Sequence, residues 1–205
     1  MTSIQAQKLV LRDKIRERVR ALDGAQREAA SRDSCGRLSR QPRWEGAQTI
    51  LGYAPLAAEL DVWPLLMDAL KARKRVFLPR FVGKSAVIQP STRSSEPGSG
   101  TYVACEIISP EKDLRTGRFG IREPADWCPE FDLKRLDFTL VPGVAFDLQG
   151  RRLGRGKGFY DRMLAAVRGT ICGVAFDEQI VEEVPIEPHD TLVNCILTPT
   201  RWVEL

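Results

Sequence analysis

Short apolar runs alternate with helix-period segments along this chain, and that alternation limits what it can fold into. Residues 47–53 (AQTILGY) read as a buried strand. Residues 60–72 follow with Val62, Leu65, Leu66 and Leu70 at helical spacing. Residues 75–81 and 137–142 are further strands, and 103–108 is another. A helix over about 158–167, a strand at 170–176, a short helix within 178–184 and a last strand at 192–198, closed by Pro199, complete the series. Strands joined through helices run parallel and are covered on both faces. The expected fold is therefore α/β with a mostly parallel sheet, in one domain spanning residues 1–205.

Ahead of the first strand lies a basic front. Ile4, Leu11, Ile15, Val19 and Leu22 fall at helical spacing, and Asp23-Gly24 is expected to end that helix. A second helix is predicted over 25–40, stopping before Pro42. Residues 1–43 hold eleven Lys/Arg against five Asp/Glu, so +6 of charge sits here and −2 in the rest. Lys8, Arg12, Arg16 and Arg20 recur every four residues and form one row. Arg16, Arg18 and Arg20 read as a solvated face, whereas Lys8 and Arg12, one turn apart, can reach a ligand together.

Other features narrow the class. No run of about 18 apolar residues exists to cross a membrane. Five widely spaced cysteines with no CxxC pair argue against a zinc site or disulfide framework, so a reducing cytoplasm is expected, with each thiol a small buried apolar group. The polar stretch 91–100 (STRSSEPGSG) is expected as an excursion between strands of one sheet. The four tryptophans are each expected to pack.

The chemistry gathers in 141–162, VPGVAFDLQGRRLGRGKGFYDR. Gly154, Gly156 and Gly158 alternate with Arg155 and Lys157, and Arg151 and Arg152 precede them. Glycine lets backbone N–H groups approach a ligand closely, and a loop that opens a helix offers free donors to an anion. The glycines alone leave a simple tight turn open. Four cations within seven residues favour an anion, with phosphate the first choice. Asp161 can hold a metal beside that phosphate, and Asp190 can share it if its loop folds back. Glu59 stands where α/β proteins keep ligand groups, although a helix-start acid is an equal reading of it. His189, the one histidine, reads as a structural loop residue rather than a base.

These residues carry a resemblance. The run from Pro142-Gly143 to Asp161, with Gly-x-Arg-Leu-Gly-x-Gly-x-Gly-x-Tyr-Asp at its centre, resembles the 5-formyltetrahydrofolate cyclo-ligase (5,10-methenyltetrahydrofolate synthetase) family. Lys8-x-x-x-Arg12, Glu59, residues 119–124 and 185–190 support it, nearly end to end. The family implies a Rossmann-like three-layer α/β/α fold, of the type shared with ribose-5-phosphate isomerase and coenzyme A transferases. It implies ATP- and Mg2+-dependent ring closure of 5-formyltetrahydrofolate, releasing ADP and phosphate.

By that resemblance Lys8 and Arg12 contact ATP, with Arg12 also near the folate. Arg152, Leu153, Gly154, Arg155, Gly156, Lys157, Gly158, Phe159 and Tyr160 wrap the triphosphate. Arg155 through Phe159 also reach the folate. Lys157 is the implied catalytic cation, Asp161 and Asp190 hold Mg2+, and Glu59 bonds the pterin. Tyr53 lines the pterin slot and Phe119 stacks on the substrate. Phe159 departs from the family, where many members carry tyrosine, so a hydroxyl is lost while ring packing remains.

Three rivals are weaker. A nucleic-acid module lacks aromatic residues interleaved with its cations. An idle folate binder has no need of Lys157, Asp161 and Asp190. A nicotinamide oxidoreductase lacks the acid about 20 residues after the glycines. The expected partners are therefore small molecules, met by a monomer away from membrane and nucleic acid.

Overall fold

In the computed structural model, residues 3–83, 100–117 and 120–205 are described. Phe119 and residues 84–99 of the polar excursion lie outside them. The chain opens with helices α1 (Ile4–Arg20), α2 (Gly24–Leu38) and α3 (Pro42–Gly46). Asp23 does not close α1 but caps α2: its side chain accepts from Gln26 N while the Gln26 side chain takes the Asp23 N–H. Two otherwise unpaired donors are met by that exchange, so Asp-Gly starts a helix here instead of stopping one.

Strand β1 (Thr49–Leu51), helix α4 (Trp63–Lys71) and strand β2 (Arg75–Gly83) form the first crossover unit. After it come β3 (Gly100–Ile107), α5 (Pro110–Asp113), β4 (Leu114–Thr116), β5 (Arg122–Pro124) and β6 (Glu130–Phe131). The remaining elements are β7 (Phe138–Pro142), β8 (Ala145–Asp147), β9 (Arg152–Leu153), α6 (Phe159–Leu164), β10 (Thr170–Val174), β11 (Ile180–Val181), β12 (Cys195–Leu197) and β13 (Trp202–Glu204). Residues 178–184, expected as a helix, instead give a 3-10 turn at Asp177–Gln179 and then β11, which pairs with β8. Gln179 decides this: its side-chain oxygen accepts from Phe176 N and its amide donates to the Gly143 and Val144 carbonyls, tying the segment to strand-bearing backbone.

The main sheet runs β13-β12-β10-β7-β1-β2-β3-β6. Its centre is parallel, through β12/β10, β10/β7, β7/β1 and β1/β2, and antiparallel strands edge it on both sides. The excursion joins β2 to β3, which pair as far as Gly83 and Gly100, so both flanks of it belong to one sheet. The edge strand β13 was not legible in the sequence.

Side chains of the central strands alternate between two apolar layers. Ile50, Val76, Leu78, Phe138 and Leu140 pack with Ile15, Leu38 and Leu66 of α1, α2 and α4. Leu51, Phe77, Val141 and Ile196 pack with Met163 and Leu164 of α6 on the other face. Burial on both faces is why the strands lack polar alternation. Each fully buried Phe or Leu contributes about 1.5–3 kcal/mol to holding the layers together. Phe146 lies so close to Gly143 and Gly173 that a Cβ on either would come within 2.6 Å of its ring. All five cysteines are buried and free, and burial pushes the Cys35 and Cys105 thiols up to about 11, which makes them inert. Trp127 corrects the expectation of packed tryptophans, being 71% exposed.

Candidate active site

Strand β1 is the point where the chain reverses direction across the sheet: α4 carries it to β2 on one side, and β7 later joins the other. A doubly wound sheet leaves a crevice there, outside the carboxyl ends of its strands. A cavity of about 410 Å3 occupies this place. Tyr53 and Ala54 beyond β1, Pro79 of β2, and Pro142-Gly143 at the end of β7 form its floor. Every site residue expected from the sequence and described in the structure lines it, from Lys8 and Arg12 through Tyr53 and Glu59 to the 152–161 run and Asp190.

The glycine loop takes the shape its composition allows. Gly156 has φ of 96° and Gly158 has φ of 62°, both in the left-handed region that L side chains avoid. Gly158 caps α6, and Asp161 lies in its first turn. Arg155, Gly156 and Lys157 are exposed along the cavity. Arg12 reaches up from α1 and its Nε donates to the Gly154 carbonyl at 2.9 Å.

Cations and carboxylates here are already paired. Lys8, 5% exposed, donates to Asp190 at 2.6 Å and to Glu187 at 2.9 Å. Arg16 and Arg20, on the same helical row, stay exposed as expected. Arg155 bridges to Glu59 at 2.8 Å, and the other Glu59 oxygen accepts from Leu56 N at 3.0 Å. Glu59 therefore belongs to the cavity and precedes α4 by several residues, which removes the helix-start reading of it. Arg152 is turned inward, 4% exposed, donating to Asp161 at 2.6 Å and to the Pro142 carbonyl at 3.2 Å.

Asp161 and Asp190 both line the cavity, and the hydroxyl of Thr191, next to Asp190 in the chain, donates to the Asp161 backbone carbonyl at 3.4 Å. Asp161 uses only Oδ1 and Asp190 only Oδ2 in hydrogen bonds among the described residues. Each thus keeps a hard oxygen of the kind Mg2+ takes. No three metal-binding side chains gather among the described residues. His189 is exposed on the rim, 3.8 Å from Asp190.

An aromatic wall closes the far end. Tyr102 of β3 meets Phe159 at 5.7 Å and Phe81 at 5.8 Å, both edge-on, and lies 5.5 Å from Tyr160. Phe159 keeps ring packing without a hydroxyl. Tyr53 donates its hydroxyl to the Leu60 carbonyl at 2.9 Å, and burial, then the charge of Glu59, raises its pKa, so it stays a neutral phenol. Sequence reasoning missed Tyr102, Glu123 and Glu187. Glu187 sat inside the quoted 185–190 segment and Glu123 inside 119–124, where Glu123 and Pro124 are buried in β5.

The model of the family described as 5-formyltetrahydrofolate cyclo-ligase matches residues 4–199. The chain belongs to that family. It is 33% identical over 191 residues to the 5-formyltetrahydrofolate cyclo-ligase of Escherichia coli, covering 91% of this chain and 97% of that one. It is 36% identical over 159 residues to the Mycolicibacterium smegmatis cyclo-ligase, covering 76% of each. Among solved structures it resembles the Aquifex aeolicus 5,10-methenyltetrahydrofolate synthetase, with a TM-score of 0.80, 32% identity, and 97% and 92% of the two chains covered. In this chain Lys8, Arg152 and Arg155 are each paired with a carboxylate.

Proposed function

We propose that the protein is an ATP- and Mg2+-dependent 5-formyltetrahydrofolate cyclo-ligase that forms 5,10-methenyltetrahydrofolate, ADP and phosphate. The observation that carries this reading is the meeting, in one cavity, of a cationic glycine loop with an aromatic and carboxylate end. The first suits a triphosphate and the second a flat reduced pterin with N–H groups on its rim.

In this reading the formyl oxygen attacks the γ-phosphorus and ADP departs. N10 then bonds the formyl carbon and loses its proton, and phosphate leaves with the former formyl oxygen. Such transfer needs positioning and charge neutralisation more than a covalent catalyst. Lys157, exposed on the cavity, stabilises the charge that grows on the transferred group. The N–H groups of 154–158 cradle the phosphates, and Lys8 and Arg155 turn from their carboxylates toward ATP as it enters. Arg12 keeps the loop open through the Gly154 carbonyl. Arg152 is held against Asp161, so its part is to orient that carboxylate. Asp161 and Asp190 would hold Mg2+, which supplies charge neutralisation to the phosphates when bound.

Glu59 is the partner of the pterin N–H edge, with Tyr53 and the Tyr102 wall beside it. In this reading the protein is a monomer that meets only small molecules in a reducing cytoplasm. The test is spectroscopic. Protein mixed with ATP, Mg2+ and 5-formyltetrahydrofolate should develop methenyl absorbance in the near ultraviolet, and none should appear without ATP. No absorbance change in the complete mixture would reject the assignment.

A further inference from the structure

Glu123 of β5 is a second carboxyl group on the pterin end of the cavity, and no role above uses it. It is 6% exposed and lines the cavity. Its Oε2 accepts from the Phe81 N–H at 3.2 Å, while its Oε1 is buried with no hydrogen-bond partner among the described residues. A buried polar atom without a partner is costly, and one that persists calls for a specific reason. Glu59 differs in this respect, since both its oxygens are engaged, by Arg155 and by Leu56 N.

The surroundings hold Glu123 in place. A Cβ on Gly117 would lie 2.3 Å from its Cδ and 2.7 Å from Oε1, so the bare glycine makes room for the carboxyl. Burial, then the charges of Glu123 and Glu59, raises the Tyr102 phenol, so both acids lie close enough to that ring to act on it.

We infer that Glu123 is a second folate-binding residue, whose Oε1, closed to solvent in this conformation, turns into the cavity to accept a hydrogen bond from an N–H on the rim of the reduced pterin. The inference rests on the folate reading of the cavity. A carboxylate offers two acceptor oxygens, one for Phe81 and one for the ligand. Glutamine offers one, and its NH2 would oppose whichever N–H remained. Glu123→Gln therefore keeps size and one bond but fails to serve both donors.

The test uses the full chain. Calorimetric titration with 5-formyltetrahydrofolate in the absence of ATP, and steady-state KM values for folate and ATP, are measured for wild type and Glu123→Gln. The expected result is a rise of about tenfold in folate Kd and KM, with the ATP KM and kcat little changed. Gly117→Ala leaves Glu123 present but displaces its carboxyl, and should raise the folate KM in the same selective way. Folate Kd in Glu123→Gln within about twofold of wild type, with wild type turning over normally, overturns this role and leaves the cyclo-ligase reading intact. Wild-type protein that binds no 5-formyltetrahydrofolate overturns both.

Discussion

Arg12 in the first helix donates from Nε to the carbonyl of Gly154, 142 residues further along, at 2.9 Å. Its guanidinium also lies beneath Gly156, where an added Cβ would stand 3.4 Å from Arg12 Cζ. The glycine loop is thus propped from below by α1. Its shape depends on that prop and on a backbone angle only glycine takes freely.

Gly156→Ala should accordingly distort the loop. A left-handed conformation at an L residue costs about 1–2 kcal/mol, enough to lower the melting temperature of a chain this size by a few degrees. Differential scanning calorimetry should show that modest loss, together with a larger relative rise in the KM for ATP. A rise in the folate KM alone would place the loop elsewhere in the reaction.

Lys157→Ala should reduce kcat by about two to three orders of magnitude, the usual effect of removing one preorganised charge contact to the transition state. Single-turnover absorbance traces would check it. A near wild-type rate would remove Lys157 from the chemistry.

Asp161→Asn should raise the Mg2+ concentration needed for half-maximal activity by about tenfold or more. The exchange preserves shape, so Arg152 retains an oxygen to bind. Magnesium titrations at saturating ATP and folate would read the effect, and an unchanged curve would rule out ligation by Asp161.

The Lys8 contact makes a prediction about pH. Burial alone would lower the Lys8 pKa, but hydrogen bonds to Asp190 and Glu187 outweigh it and raise it above 10.5. Burial alone would raise the Asp190 carboxyl, but the Lys8 bond, the Glu187 N–H and the charge of Lys8 together outweigh that and hold it below 3.8. A raised lysine stabilises the fold below its unfolded pKa and loses this as pH climbs through the folded value. A depressed carboxylate stabilises above its unfolded pKa and loses this as pH falls through the folded value. The contact between α1 and residues 187–190 is therefore fully formed between those limits. Melting temperatures of wild type and Lys8→Met should differ by a constant amount from about pH 5 to 9, and the gap should narrow as pH drops below the ordinary aspartate range. A gap that widens in acid would contradict the pairing.

The glycine run and the alternation of strands with helices were legible because each is written in contiguous residues. Positive φ at Gly156 and Gly158 follows from the missing Cβ, and buried strands follow from largely apolar runs such as Phe138–Pro142. Local chemistry was less reliable at segment ends. Asp23 looked like a stop and proved a cap through its exchange with Gln26, and residues 180–181 looked helical and proved a strand because distant partners, the Gly143 carbonyl and β8, settled that segment.

The sequence alone determined the α/β class, the phosphate-suited loop and the set of residues around it. Only the tertiary structure decided which charges meet: Lys8 with Asp190, Arg152 with Asp161, Arg155 with Glu59, and Glu123 left with a free oxygen. The reason is range. A loop's backbone preferences are set by its own residues, whereas an ion pair spanning 182 positions exists only once strand order and register have brought its two ends together.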